Sequence, residues 1–197
     1  MAILSRIRTS ETDPLLVAEV SAGVGLVGMT FCPGKRGGSV YGDAWQRDLA
    51  ADLQVIREWG AAVVVTLIEV HEFEMLGVER LPGAVRDAGM EWLHLPIRDV
   101  DVPDSHFEAS WAKVGGRLGN RLRNGGRVLV HCRGGLGRTG MVAARLLVEV
   151  AGATPQQALN DVREVRPGAV ETPAQQAWVL ELQAPAPARD GHGTEVA

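Results

Sequence analysis

Cysteine is scarce in this chain: 197 residues contain only Cys32 and Cys132. Two thiols cannot build a scaffold of several disulfides, and a bridge between them would remove Cys132 as a nucleophile. Aromatic residues make up 5% and tyrosine occurs once, at Tyr41, so no long aromatic recognition segment is present. No apolar run approaches the roughly 18 residues of a membrane-spanning helix. The opening MAILSRIRTSETD turns polar where the apolar core of a signal peptide would continue. A formal net charge of -4 gives no broad basic surface for nucleic acid or an anionic membrane, though a local basic mouth is compatible with it. The GK[ST] signature of nucleotide-binding loops is absent, and no His and Asp cluster has metal-ligand spacing. These absences lead to the expectation of a cytoplasmic protein that uses no metal or cofactor and engages neither nucleic acid nor membrane.

What is there fits one compact domain, with 46% hydrophobic and 22% charged residues. The runs LLVAEV and VGLVGMTF read as a hairpin or edge strands, followed by the loop FCPGKRGG. From Asp43, Trp45, Leu49, Leu53, Ile56 and Trp59 fall at helical spacing, with Asp43 as the expected cap and Gly60 as the stop. AAVVVTLI, EWLHLPI and RVLVHC read as buried strands. Between and after them, VHEFEMLG, LPGAVRDAG, HFEASWAKVGGRLGNRLRNG, TGMVAARLLVEVAG, TPQQALNDVREVRPG and TPAQQAWVLELQ read as helices. Alternating strands and helices predict an α/β fold with a central, mostly parallel sheet flanked by helices. The expected domain is 1–184, with an edge hairpin and loop over 1–42 and a catalytic core over 43–184. The Ala- and Pro-rich segment beyond it, 185–197, reads as a disordered tail.

The segment HCRGGLGRTG, His131 to Gly140, carries the chemistry. It places Cys132 after an apolar strand and six residues before Arg138, across a glycine-rich turn that opens a helix. A strand, a loop of free backbone N–H groups and a helix N-terminus together make an oxyanion site. The same field favours a thiolate at Cys132. The planar guanidinium of Arg138 can hold two oxygens of one phosphate. A nucleophile at the base of a phosphate cradle predicts a cysteine-dependent phosphatase. An acid must protonate the leaving oxygen from the other side, and RDVDVPD offers Asp99, Asp101 and Asp104.

The motif H-C-x5-R-T, joined to the acidic loop PIRDVDVPD, FCPG and a closing ETPAQQ, resembles the cysteine-dependent protein tyrosine and dual-specificity phosphatases. Within that superfamily the chain is most similar to the group that includes the kinase-associated (cyclin-dependent kinase inhibitor 3) phosphatase, from about Thr30 through Leu182. The resemblance implies a protein-tyrosine-phosphatase-like fold and a phosphocysteine intermediate. It makes Cys132 the nucleophile and Arg138 the phosphate-binding, charge-stabilising group. The N–H groups of Arg133, Gly134, Gly135, Leu136, Gly137 and Arg138 would line the cradle. Thr139 would assist the sulfur as it leaves, and His131 would order the loop and tune the thiolate. PIRD matches the family's spacing of proline and acid, which puts the general acid on Asp99 with Asp101 as runner-up; Asp104 then caps the next helix. At the start of ETPAQQ the family often has a glutamine that positions the hydrolytic water. Here Glu171 stands at that position and Gln175 matches the second glutamine. A carboxylate aimed at a bound phosphate would be repelled.

The implied partner is a phosphorylated protein or peptide, carrying phosphotyrosine or, with a shallow mouth, also phosphoserine and phosphothreonine. A phosphatase of small metabolites or lipids is the alternative, weakened by the uncharged Gly134, Gly135 and Leu136 in the loop. A non-catalytic phosphate-binding module is a third reading. Cys32 reads as a buried small side chain, with a resolving thiol for oxidised Cys132 as the sharper option. His94 and His106 read as structural, and the five tryptophans as core or groove packing.

Overall fold

The computed structural model describes residues 6–38 and 43–183; Tyr41 and the tail beyond 184 lie outside the described residues. In chain order the elements are β1 (Ile7–Arg8), β2 (Ala18–Ala22), β3 (Gly25–Thr30), β4 (Arg36–Gly38), β5 (Ala44–Gln46), α1 (Leu49–Glu58), β6 (Val63–Thr66), α2 (Val70–Met75), α3 (Leu81–Asp87) and β7 (Glu91–His94). Then follow α4 (Ser105–Arg123), β8 (Arg127–His131), α5 (Gly137–Leu146), a π-helical segment (Leu147–Ala151), α6 (Pro155–Val165) and α7 (Pro173–Leu180).

The main sheet has the order β2-β3-β8-β6-β7. Its β2–β3 pairing is antiparallel, while β3–β8, β8–β6 and β6–β7 are parallel. β8 is therefore central, and the loop that follows it opens at the carboxyl end of the sheet, where ligands bind in such folds. The strand side chains alternate. Val63, Val65, Val128 and Val130 face one core with Phe107, Trp111, Leu118 and Leu122 of α4 and Met141 and Leu146 of α5. Val64 and Leu129 face the opposite core, with Leu53 and Ile56 of α1 and Leu81 and Val85 of α3. β6 is buried throughout and β8 from Val128 onward, so both faces of these strands need the helices that cover them.

Two sequence expectations need correction. The hairpin is present, but only β2 is an edge; β3 sits inside the sheet, with Val27 and Met29 fully buried, and so belongs to the catalytic core. The first helix starts at Leu49, not after Asp43. Ala44–Gln46 is a strand paired with β1 and β4 in a small second sheet, and Asp48 caps the helix by accepting from the Ala51 N–H at 2.9 Å. Trp45 has helical spacing to Leu49 but packs on Phe31 instead, with ring centroids 5.4 Å apart. Tertiary contact overrides the local period. Two other sequence expectations agree with the structure: Asp104 caps α4 by accepting from the Phe107 N–H at 2.8 Å, and Thr154 caps α6. α4 runs unbroken through Gly115, where a Cβ would lie 2.6 Å from the Trp111 indole nitrogen, so this glycine makes room for packing.

Candidate active site

The loop 132–136 leaves β8 at full burial and turns into α5. The turn requires Gly135: its φ is +69°, and a Cβ there would lie 2.4 Å from the backbone of Thr30 on β3. The loop is thus pressed onto the neighbouring strand. Cys132 sits at the bottom, 3% exposed, and its Sγ accepts the Gly135 N–H at 3.2 Å. Outside the loop, Arg166 donates to the carbonyls of Gly135 at 3.1 Å and Gly134 at 3.3 Å. Turning these carbonyls outward leaves the N–H groups for the concave side.

The residue that precedes α5, Leu136, has no side-chain acceptor with which to cap it. The carboxylate of Glu171 supplies the cap, accepting the Gly137 N–H at 2.7 Å. Gln175 is fully buried and braces the same corner: its Oε1 accepts the Glu171 N–H at 3.0 Å, and its Nε2 donates to the Asp101 carbonyl at 3.1 Å. The two expected water-positioning residues therefore stand at the site, one on the cradle and one tying it to the acidic loop.

Arg138, in the first turn of α5, is 2% exposed. Its Nη1 and Nη2 donate to the two carboxylate oxygens of Glu72 at 2.6 and 3.0 Å, and Nη1 also reaches the Ile97 carbonyl at 3.1 Å. Its Nη2 meets Asp99 Oδ1 at 2.7 Å, and Asp99 Oδ2 is 3.8 Å from Arg133. Burial alone would lower the pKa of Arg138, but the Glu72 hydrogen bonds and the charges of Cys132, Glu72 and Asp99 outweigh it, so the guanidinium is held charged. Glu72 is likewise pushed up by burial and more strongly pulled down by Arg138 and by the Glu69 backbone, and stays ionised. Asp99 is different: its side chain is 43% exposed. The next residue, Val100, has a φ of 63°, a conformation costly for a β-branched residue, and this strain sits in the acid loop itself.

His131 is fully buried and held by a chain of polar groups. Trp92 Nε1 donates to Thr66 Oγ1 at 2.8 Å, and Thr66 Oγ1 lies 2.8 Å from His131 Nε2, while Nδ1 is 3.4 Å from the Cys132 carbonyl. Donation from Nδ1 to that carbonyl assigns Nε2 as acceptor from the Thr66 hydroxyl. Burial, opposed by the bond to Cys132 and aided by the Arg138 charge, lowers the imidazole pKa to about 4. A neutral histidine that ties β6 and β7 to the loop orders it and is no base. Thr139 is fully buried, and its hydroxyl has no partner among the described residues.

Of the other expected residues, Asp101 accepts the Gln175 amide at its carbonyl and Asp104 is the α4 cap. His94 packs between Trp92 and Phe73, and the side chain of His106 is 96% exposed; neither joins the site. Cys32 is fully buried, and burial pushes its thiol up against the opposing charge of Lys35. The sequence reading missed Glu72, Arg166 and Lys35. Glu72 lies 66 residues before Arg138, in a short helix that the sequence reading found without singling out this residue. The available signal was the need of any buried arginine for a carboxylate.

Cys132, Arg133, Gly134, Leu136, Asp99 and Glu171 open on a cleft of about 730 Å³. The cleft is large enough for a phosphorylated side chain and its neighbours. Among the described residues no cluster of three or more His, Cys, Asp or Glu could hold a metal ion, and no helix is long and apolar enough to cross a membrane.

Comparison with known proteins places this chain in a family. Residues 38–152, more than half of the chain, match the family model Tc-R-P, described as polymorphic toxin system, DSP-PTPase phosphatase. The chain is 31% identical over 140 residues to cyclin-dependent kinase inhibitor 3 of Rattus norvegicus, covering 70% of this chain and 65% of that protein. To the same protein of Mus musculus it is 30% identical over 139 residues, covering 70% and 64%. It thus spans just under two thirds of the length of these relatives. The solved structure of kinase-associated phosphatase with its catalytic-site cysteine replaced by serine superposes with a TM-score of 0.73 at 26% identity, covering 84% of this chain and 92% of that one. Tk-PTP in its active form gives a TM-score of 0.61 at 29% identity, covering 80% and 90%. The chain belongs to the dual-specificity and protein tyrosine phosphatase family.

Proposed function

We propose that the protein is a metal-independent phosphoprotein phosphatase, of tyrosine or dual specificity, that works through a phosphocysteine intermediate. The observation that carries this reading is the meeting of three groups at one point: Cys132 Sγ under a loop N–H, Arg138 fixed by Glu72, and Asp99 on the open side of the guanidinium. A phosphate entering the loop replaces the Asp99 carboxylate on Arg138 Nη2. That exchange leaves the rigid contacts to Glu72 intact and frees the exposed acid to face the leaving oxygen.

In the first step the Cys132 sulfur attacks phosphorus. Arg138 and the loop N–H groups receive the charge that develops on the equatorial oxygens, and protonated Asp99 donates to the leaving oxygen. In the second step water attacks the phosphocysteine, and Asp99, now ionised, takes its proton. Thr139, whose buried hydroxyl has no partner among the described residues, donates a hydrogen bond to the sulfur as it leaves. Glu171 holds the Gly137 N–H and, with Gln175, the wall from which water approaches. The mechanism needs Cys132 as a free thiol, and a reducing cytoplasm is the compartment we assign to it.

The test is hydrolysis of p-nitrophenyl phosphate and of a phosphotyrosyl peptide by reduced protein in the presence of a chelator. Turnover that persists with chelator and disappears in Cys132→Ser supports the reading. Chelator-sensitive turnover, or turnover unchanged by the serine, overturns it.

A further inference from the structure

Three cations are buried in the described residues, and two of them have carboxylate partners. Arg47 is paired with Asp52, and Arg138 with Glu72. Lys35 is 8% exposed and among the described residues forms no ion pair and one hydrogen bond, a long one of 3.4 Å to the Arg133 carbonyl. A buried cation lacking a counterion is costly. The aromatic corner of the small sheet offsets part of the cost, with Lys35 Nζ 4.0 Å from the Trp45 ring centroid and 4.5 Å from that of Phe31. Two of its three protons remain without an acceptor among the described residues. Burial, together with Arg47 and Arg133 and against Cys32 and Cys132, lowers its pKa to about 8, so it carries its charge at neutral pH.

Lys35 lines the same cleft as Cys132, with Arg36 and Arg133 beside it. The carboxylates that share the cleft are engaged elsewhere: Asp13 with Arg6, Asp99 with Arg138 and Glu171 with Gly137. A chain of net charge -4 therefore holds, next to its phosphate loop, a cation with no ion pair among the described residues. Resting on the phosphoprotein reading above, we propose that Lys35, framed by Phe31 and Trp45, is a specificity-determining residue that receives an acidic side chain adjacent to the phosphorylated residue of a peptide substrate. The carboxylate accepts hydrogen bonds from the two ammonium protons that lack an acceptor among the described residues, and supplies a counterion. The aromatic walls fix where the ammonium stands, and so which neighbour of the phosphorylated residue is read.

Two phosphotyrosyl peptides that differ only by Glu or Gln next to the phosphotyrosine test this. The expected result is a kcat/KM about tenfold higher for the Glu peptide at low salt, the size of one charge-assisted contact. The preference should shrink as salt rises, and in Lys35→Met the ratio should approach one. The salt series uses the wild-type chain and carries the test even if that variant fails to fold. Equal kcat/KM for the two peptides in the wild type, or a preference that survives Lys35→Met, overturns the proposal and leaves the phosphatase reading standing. Cys132-dependent hydrolysis of p-nitrophenyl phosphate with neither peptide turned over overturns the phosphoprotein reading and this proposal together.

Discussion

The molecule contains two buried arginine–carboxylate pairs that look alike and behave differently. Arg47 and Asp52 join the small sheet to α1. Arg47 Nε and Nη2 each donate to Asp52 at 2.8 Å, and Nη1 donates to the carbonyls of Asp13 at 2.7 Å and Thr9 at 3.3 Å. Asp52 also accepts from the Gly34 N–H and the Ser10 hydroxyl. The partners there are buried or half-buried, and the pair is closed. Arg138 and Glu72 have the same bidentate core, but the remaining face of Arg138 is met by Asp99, a half-exposed side chain on a strained loop. One pair is saturated and holds the fold. The other is held rigid on one side and left exchangeable on the other, which is what a phosphate-binding arginine needs.

The contrast can be broken by substitution. Arg138→Lys keeps the charge but loses the fork, and should lower kcat/KM for p-nitrophenyl phosphate by about a thousandfold. Asp52→Asn should do the converse, lowering the unfolding free energy by about 3 kcal/mol in urea titrations while the activity per folded molecule is retained. Asp99→Asn sharpens the point that one Arg138 partner is chemical rather than structural. Turnover of a phosphopeptide should fall about a hundredfold, with the urea midpoint nearly unchanged.

The smallest effect concerns the buried neutral imidazole that backs the active pair. The pKa of His131 is about 4 in the folded chain against 6.5 ordinarily, so the folded state binds fewer protons between these values. Its stability is whole above pH 6.5 and declines as pH falls towards 4, by about 2 kcal/mol at pH 5. Urea midpoints measured across this window should fall less steeply in His131→Asn than in the wild type.

Much of this was legible in the chain. HCRGGLGRTG is contiguous because a strand, a tight turn and a helix start must follow each other to make an anion cradle, so the phosphate loop is a local signal. β6 and β8 were equally readable as unbroken apolar runs, and Asp104 and Thr154 as caps. What could not be read depends on tertiary meeting. Trp45 fits a helical period but is drawn onto Phe31, which moved the start of α1 from Asp43 to Asp48. Glu72 looks like any surface carboxylate of a short helix until the fold brings it to Arg138. Lys35, in a glycine-rich loop, looks solvated until the small sheet closes over it.

The central claim is that Cys132 takes the phosphate onto its own sulfur. Acid-quenching the wild-type enzyme during turnover of a phosphotyrosyl peptide, then mapping the phosphate adduct by mass spectrometry, tests this most directly. The account predicts an acid-trapped phosphate on the peptide containing Cys132, absent from Cys132→Ser, which should also be inactive. Steady turnover with no adduct at Cys132, retained in Cys132→Ser, would contradict it.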